Sequence, residues 1–196
     1  NHRGATAAHI AVMILNHVAG NVGRTVHYDA GVTAAASSYA DMESAVSAMA
    51  AGQVGVAIVH GANPAYTMPS ASGFAEAFEQ VDFKVSFASA MDETAAMADL
   101  IMPDRHFMEA WGDSMPRNGV MAIQQPVMQP VPHFDSKQAG DVLLAVANEA
   151  GSGLGSATFY EYLRSGHMEM HDASMGDFET LWADALRTGA VEHDMA

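Results

Sequence analysis

Val54-Gly55-Val56-Ala57-Ile58-Val59 is the stretch of this sequence that decides its fold. The run is apolar and rich in β-branched side chains, and polar residues do not alternate with apolar ones along it. A strand of this kind is typical of a parallel sheet, because both of its faces are suited to contact with other apolar groups. The sequence therefore predicts a buried parallel strand here, and we expect it at the centre of its sheet.

Predicted helices and strands alternate on both sides of this strand. The elements are a helix from Asp41 to Ala51, a helix over 73–80, a strand over 83–87, a short helix over 92–98 and a strand over 100–102. Asp41 is the expected cap of the first helix, and Gly52 ends it. Strands that alternate with helices predict an α/β fold with a parallel, doubly wound, Rossmann-like βαβ domain.

Segments of different character flank this domain. Residues 5–19 are rich in good helix formers, and the glycines at 20 and 23 predict a turn after them. A strand over 120–123 and a helix that Ser136 caps are expected near the end of the domain. We therefore expect a helix and turn over 1–30, a parallel α/β domain over 31–150, and a Gly/Ser linker with a mostly helical tail over 151–196.

The tail contains a predicted amphipathic helix. Apolar side chains recur at helical spacing at Phe178, Leu181, Trp182, Ala185 and Leu186. Ser174 with Asp177 is typical of a capping box, and Gly189 is a stop signal. The apolar stripe of this helix requires a partner surface, inside this fold or outside it.

Composition excludes several classes of function. Lys and Arg total 8 against 23 Asp and Glu, so the net charge of −15 repels nucleic acid and anionic lipid headgroups. The absence of cysteine excludes disulfides, thiolate catalysis and cysteine-bound iron–sulfur clusters within these residues. No apolar run approaches the roughly 18 to 20 residues of a membrane-spanning helix. The start at Asn1-His2-Arg3 has no initiator Met and no signal sequence, and we interpret it as internal to a longer chain.

Two loops after predicted strands carry residues suited to binding. His60 to Tyr66 follows the strand at 54–59, and the carboxyl ends of parallel strands are where such folds bind ligands. Within it, glycine permits close backbone approach and asparagine offers both a donor and an acceptor. Asp92-Glu93-Thr94 opens the helix over 92–98. Spacing alone favours a plain strand-to-helix turn for the first loop, and composition alone favours helix capping by Asp92 for the second.

Two other groups of residues carry side chains that can bind metal or transfer protons. His167 and His171, with Glu169 between them, have the spacing of two metal ligands on one helix, but they lack the His-Glu-x-x-His order. Asp104, His106 and Glu109 offer acid–base groups without an obvious nucleophile, and a capped short helix is the simpler interpretation. We assign no catalytic residue and no metal ligand.

Three motifs, in order along the chain, resemble the molybdopterin oxidoreductase family. They are Gly61-Ala62-Asn63-Pro64, then the run from Met91 to Pro103 containing Asp92-Glu93-Thr94-Ala95, then Glu109-Ala110-Trp111-Gly112. The segment with Leu15-Asn16 and Gly20-Asn21-Val22-Gly23-Arg24 is similar to the one that precedes this domain in the family. Together the matches span residues 1 to 147.

The resemblance implies a cofactor site. In members that bind the guanine dinucleotide of molybdopterin, the equivalent loops help to hold it. This places Gly61, Asn63, Asp92, Glu93 and Thr94 near the ligand, provided that the pocket is occupied. A carboxylate that accepts hydrogen bonds from the guanine N–H groups is the physical rationale.

The sequence departs from the family pattern after Gly112. Usual members continue with Thr-x-Thr-Asn and Gly-Arg, whereas this chain reads Asp113-Ser114-Met115-Pro116-Arg117-Asn118-Gly119-Val120. That run, with Gln124-Gln125-Pro126-Val127-Met128 after it, looks closer to the iron–sulfur subunit of alternative complex III. That branch is a quinol to cytochrome oxidoreductase, and its molybdopterin-like half is thought to be a scaffold without cofactor.

The resemblance to this branch implies a scaffold segment of a large extracytoplasmic subunit, with no catalysis of its own. Its implied partners are iron–sulfur, cytochrome c and quinol-binding membrane subunits, which place it at the periplasmic face. Iron–sulfur clusters and haems are expected in other segments or subunits, and no cofactor in this one.

Two alternatives remain open. One is the dinucleotide-gripping domain of a catalytic polysulfide- or thiosulfate-reductase-like molybdoenzyme, which holds molybdopterin guanine dinucleotide. The other is a freestanding α/β module that binds a small nucleotide.

Overall fold

The computed structural model describes residues 5–27, 37–117, 119–151, 153–171 and 176–192, and it confirms the predicted α/β fold. The helices are α1 (Ala5–Val18), α2 (Tyr39–Ala50), α3 (Pro64–Thr67), α4 (Phe74–Glu79), α5 (Ala139–Glu149), α6 (Phe159–Glu169) and α7 (Phe178–Thr188). The strands are β1 (Val56–Val59), β2 (Phe83–Ser86), β3 (Leu100–Ile101), β4 (Gly112–Arg117), β5 (Val120–Gln124) and β6 (Ala190–Glu192). They form two three-stranded sheets, one parallel and one antiparallel.

The parallel sheet has the order β1-β2-β3. Val56 pairs with Phe83, and Val85 pairs with both Ile58 and Leu100. The expectation that 54–59 forms the central strand was wrong, since β2 holds that place among the described residues and β1 lies at an edge. An apolar run indicates that a strand can contact apolar groups, but it does not indicate where that strand lies in the order of the sheet.

Helices cover the two faces of this sheet unequally. Ala57 and Val59 pack against α2 and α4 in a core that contains Phe78, which is 1% exposed. On the other face, Ala139 and Val142 of α5 cover only the part formed by Val85, Phe87 and Met102. The pairing register places four more apolar side chains on that face. These are Val56, Ile58, Phe83 and Leu100, from 41% to 57% exposed, and we call them the open sheet face.

Helix α1 is likewise apolar and exposed. The helix predicted over 5–19 is confirmed as Ala5–Val18, but its large side chains lie in solvent. The exposed fraction is 52% at Ile10, 59% at Ile14 and 78% at Val18. Among the described residues, no helix is both long enough and apolar enough to cross a membrane.

The antiparallel sheet joins the tail to the middle of the chain. Its order is β4-β5-β6, and Met121 of β5 pairs with Val191 of β6. The strand predicted over 120–123 is confirmed as β5, whereas β4 and β6 were not predicted. β4 is polar and contains Pro116, which is tolerated because β4 is an edge strand. Strands from either side of residue 150 therefore share one sheet.

Helices α6 and α7 pack against this sheet. Trp182 and Ala185 of α7 are buried against Ile123 of β5, so the apolar stripe finds its partner inside the fold. Asp177 caps α7 by accepting from the Thr180 amide at 3.0 Å, and Gly189 closes the helix at φ 78°. Ser174, the other half of the predicted capping box, lies outside the described residues. Helix α6 was not predicted.

Two predicted caps were wrong, because the capping groups lie elsewhere. Ser38 caps α2, and Asp41 is the third helical residue. The Asp41 carboxylate accepts a hydrogen bond from the Ser38 amide at 2.7 Å. Helix α5 begins at Ala139, three residues after Ser136. The Ala139 amide is satisfied by Asp104 Oδ1 at 2.9 Å, a contact across 35 residues that local spacing does not reveal.

Candidate functional site

Three loops leave the carboxyl ends of the parallel strands and form the candidate site. They begin at His60 after β1, at Phe87 after β2 and at Met102 after β3. Gly61 has φ 62°, in the left-handed region that favours glycine. An added Cβ there would meet nothing within 4 Å, so backbone conformation and not crowding requires glycine.

Asn63, Glu93 and Thr94 are brought together, and we call them the Asn63 cluster. Thr94 donates from Oγ1 to Asn63 Oδ1 at 2.7 Å, and its amide donates to the same oxygen at 3.3 Å. Asn63 Nδ2 donates to Glu93 Oε2 at 2.6 Å. Thr94 is 1% exposed, and its hydroxyl also accepts from the Ala65 amide at 3.0 Å. The cluster ties the loop after β1 to the loop after β2.

Asp92 and Glu93 differ in their environments. Asp92 Oδ1 accepts from the Ala95 amide at 2.7 Å, a bond of the kind that a capping side chain makes, but the residue at the N-cap position of the 3₁₀ turn Ala95–Met97 is Thr94. Glu93 is exposed. The amide of Asn63 donates to its carboxylate and lowers the pKa of Glu93 below its usual value. Glu93 is therefore an ionised, accessible acceptor at neutral pH.

His60 and Asp104 form a contact at the same edge that the sequence did not reveal. His60 Nε2 lies 2.5 Å from Asp104 Oδ2, and the imidazole packs edge-on against Phe87 with ring centroids 6.0 Å apart. Asp104 Oδ1 accepts from the amides of Arg105 and Ala139. Asp104 thus joins the loop after β1 to the start of α5. The 44 residues between His60 and Asp104 leave no local signal of this pairing.

His106 and Glu109 form the capped short helix that the sequence favoured. His106 Nδ1 accepts from the Met108 amide at 3.3 Å, and Glu109 Oε2 accepts from the His106 amide at 3.3 Å. Glu109 is buried, and its Oε1 accepts from the Val131 amide at 3.1 Å. Both carboxylate oxygens of Glu109 therefore accept hydrogen bonds from backbone amides, which is a structural role.

The histidines of the tail lie in an aromatic cluster. His167 is buried beside Trp182 with ring centroids 5.3 Å apart, and its Nε2 lies 3.8 Å from Asp113. His171 packs edge-on against Phe178. Within the part of the chain that the structure describes, no group of three or more His, Asp or Glu side chains is arranged to hold a metal ion.

The chemistry of the loops can be compared with that of a guanine dinucleotide. The guanine base needs acceptors for its N–H groups, and the exposed carboxylate of Glu93 can supply one. The pyrophosphate needs cations or free N–H groups, but residues 60–68 and 88–98 contain Asp92 and Glu93 and no Lys or Arg. Asn63 already uses both atoms of its side-chain amide. The side chains of the loops after β1 and β2 therefore offer an acceptor to the base and no cation to the pyrophosphate.

A protein-family model matches most of this chain. The model of the family described as molybdopterin oxidoreductase matches residues 1–149. Menaquinone reductase, molybdopterin-binding-like subunit, from Nitratidesulfovibrio vulgaris (strain Hildenborough) is 37% identical over 110 residues. That match covers 55% of this chain and 16% of the relative. Among solved structures, acetylene hydratase from Pelobacter acetylenicus aligns with a TM-score of 0.45 and 17% identity, over 56% of this chain and 16% of that one.

Proposed function

The chain belongs to the molybdopterin oxidoreductase family, and we propose that it is a scaffold segment of a large extracytoplasmic subunit in a quinol to cytochrome c electron-transfer complex of the alternative complex III type. In this proposal the segment holds no cofactor and performs no catalysis. It supplies shape and contacts to iron–sulfur, cytochrome c and quinol-binding membrane subunits at the periplasmic face. Clusters and haems belong to other segments or subunits.

The observation that carries this proposal is the use of polar atoms in the Asn63 cluster. A loop built to grip a dinucleotide keeps donors free for the phosphates. Here the side-chain amide of Asn63 and the hydroxyl of Thr94 bond to each other and to neighbouring loop atoms. The charge of the two loops is negative, which opposes a pyrophosphate. The cluster thus stabilises the fold without a ligand.

Exposed apolar surface supports a place inside a larger assembly. A parallel sheet is stable when both faces are covered, whereas the open sheet face and α1 leave large apolar side chains in solvent. A helix with a wide exposed apolar face is typical of one that packs against another surface. The relative named as a menaquinone reductase subunit supports a redox complex that acts on a quinone.

The test is metal analysis of the intact, purified complex, together with electron-transfer rates for Asn63→Ala and Glu93→Ala. We expect molybdenum and tungsten far below one per complex, and quinol to cytochrome c turnover per assembled complex near that of the wild type. Stoichiometric molybdenum or tungsten would contradict the scaffold proposal. A large loss of turnover in fully assembled variants would contradict it as well.

A second candidate is the dinucleotide-gripping domain of a polysulfide- or thiosulfate-reductase-like enzyme. The accessible, ionised carboxylate of Glu93 favours it, since it can accept from the N–H groups of a guanine. Under this alternative, Glu93→Gln lowers the molybdenum content of the purified complex. Under the scaffold proposal the same variant changes no metal content.

A further inference from the structure

A cavity of about 520 Å³ lies beyond the carboxyl ends of β2 and β3. Its walls come from Ser89, from the segment 103–109 and from the segment 128–136, and no member of the Asn63 cluster lines it. Cavities of roughly 300–1,000 Å³ at this edge of an α/β sheet are typical sites for small molecules. The cavity is therefore a candidate binding site outside the Asn63 cluster.

The wall of the cavity is mostly apolar. Met108, Met128, Val131 and Phe134 contribute to it. Phe134 is 70% exposed, and Met108 and Met128 are 41% and 43% exposed. Methionine side chains adapt their shape to a ligand, and apolar side chains around a concavity favour an apolar guest. The body of a matching ligand is therefore apolar.

The acidic groups at the cavity are already in use. Asp104 bonds through Oδ1 to the amides of Arg105 and Ala139 and lies against His60 through Oδ2. Glu109 bonds through both oxygens to the amides of His106 and Val131. A cationic ligand would have to share these oxygens with the protein N–H groups that they already hold. An anionic ligand would meet two carboxylates and a chain with a net charge of −15.

Donors at the cavity, by contrast, are not used. His106 accepts at Nδ1 from the Met108 amide, so a neutral imidazole carries its hydrogen on Nε2. The hydroxyls of Ser89 and Ser136 make no hydrogen bond to any residue that the structure describes. The cavity therefore offers three donor groups around an apolar wall.

We propose that this cavity binds a small uncharged molecule with an apolar body and at least one carbonyl oxygen. The carbonyl accepts from one or two of the three donors, which are the imidazole N–H of His106 and the hydroxyls of Ser89 and Ser136, and the apolar body lies against Met128 and Phe134. The proposed site does not depend on whether a dinucleotide is bound, so this proposal is independent of the proposed scaffold role.

Three probes that share a naphthalene ring test the proposal in the intact polypeptide. They are 2-acetylnaphthalene, which has a carbonyl, naphthalene, which has none, and 2-naphthoate, which is an anion. Binding is measured by saturation-transfer NMR and by calorimetry. We expect 2-acetylnaphthalene to bind at least about tenfold more tightly than either of the others, because each hydrogen bond and the avoided repulsion contribute to affinity.

Variants separate the cavity from general adsorption. Ser89→Ala combined with Ser136→Ala removes two hydroxyls and should reduce the tenfold preference to about threefold or less. Ser136→Phe fills the cavity and should abolish binding. Ser70→Ala removes an exposed hydroxyl outside the cavity and should change nothing. Failure of all probes to saturate, equal affinity for the three, or full retention of the preference in the double variant would each overturn the proposal.

Discussion

Replacement of Asn63 by alanine tests whether the Asn63 cluster is a structural device. The change removes the acceptor of the Thr94 hydroxyl and amide, and also the donor to Glu93. The loss at Glu93 costs little, because that side chain is exposed. The loss at Thr94 is larger, because a residue that is 1% exposed keeps a hydroxyl hydrogen and an amide hydrogen without their partner.

An unsatisfied buried donor costs about 1–3 kcal/mol. We therefore expect Asn63→Ala to lower the free energy of local opening at the two loops by about 2 kcal/mol, which accelerates exchange of their amides by roughly 30-fold. Hydrogen exchange with mass spectrometry on the peptides that contain 63–66 and 94–97 measures this directly in the intact polypeptide.

Thr67→Ala is the matched control. It removes an exposed hydroxyl that donates to the backbone carbonyl of Asn63 at 2.9 Å in the same turn. Its effect should stay within about 0.5 kcal/mol. A double variant Asn63→Ala with Thr94→Val should cost less than the sum of the single changes, because the two side chains share one hydrogen bond. Unchanged exchange in Asn63→Ala, or simple additivity in the double variant, would refute the reasoning.

Three further predictions concern other parts of the chain. Gly140→Ala places a Cβ 2.5 Å from the ring of Phe159, which forces α5 and α6 to shift. This shift should lower the free energy of unfolding in urea by about 1–3 kcal/mol. Gly166→Ala is the control, because its added Cβ meets nothing within 4 Å. The Trp182 indole is 5% exposed in the cluster around Ile123, so Trp182→Ala should lower the free energy of unfolding by about 3–5 kcal/mol. Proteolysis of α7 should become faster in this variant. Unchanged protection of α7 from protease would exclude that packing. Glu93 and Asp99 should both titrate below their usual pKa in carboxyl NMR, because Asn63 and Lys84 respectively donate to the charged forms. The stabilising contribution of both carboxylates is then present above the unfolded-state values near pH 4 and is lost as the pH falls through the lower folded values. Asn63→Ala should raise the pKa of Glu93 toward its usual value and leave that of Asp99 unchanged.

The elements whose signals are local were predictable from the sequence. The strand at β1 is an uninterrupted apolar run, and α7 combines a helical stripe with Gly189 as a stop. Asp92 was interpretable as a cap because its partner, the Ala95 amide, is three residues away. Each of these features depends on residues within one turn or one strand, so composition and spacing contain the information.

Contacts across the chain were not predictable in the same way. β4 carries polar residues and a proline, and only its pairing with β5 makes it a strand. The cap of α5 comes from Asp104, and the partner of His60 is again Asp104. The unequal covering of the sheet depends on strand order and helix placement, which an apolar run does not encode.

The polar loops of the candidate site and the exposed apolar surfaces of the chain differ in whether they require a partner. The Asn63 cluster satisfies its own polar atoms, and Asp104 and Glu109 satisfy nearby backbone, so these loops keep their shape without a ligand. The open sheet face and α1 differ from these loops, because their apolar side chains are stabilised only when another surface removes them from water. An isolated helix of 14 residues is marginal in water, so α1 in particular depends on such a surface. The described part of the chain therefore offers apolar surface, and not its polar loops, to its surroundings, as the proposed scaffold role predicts.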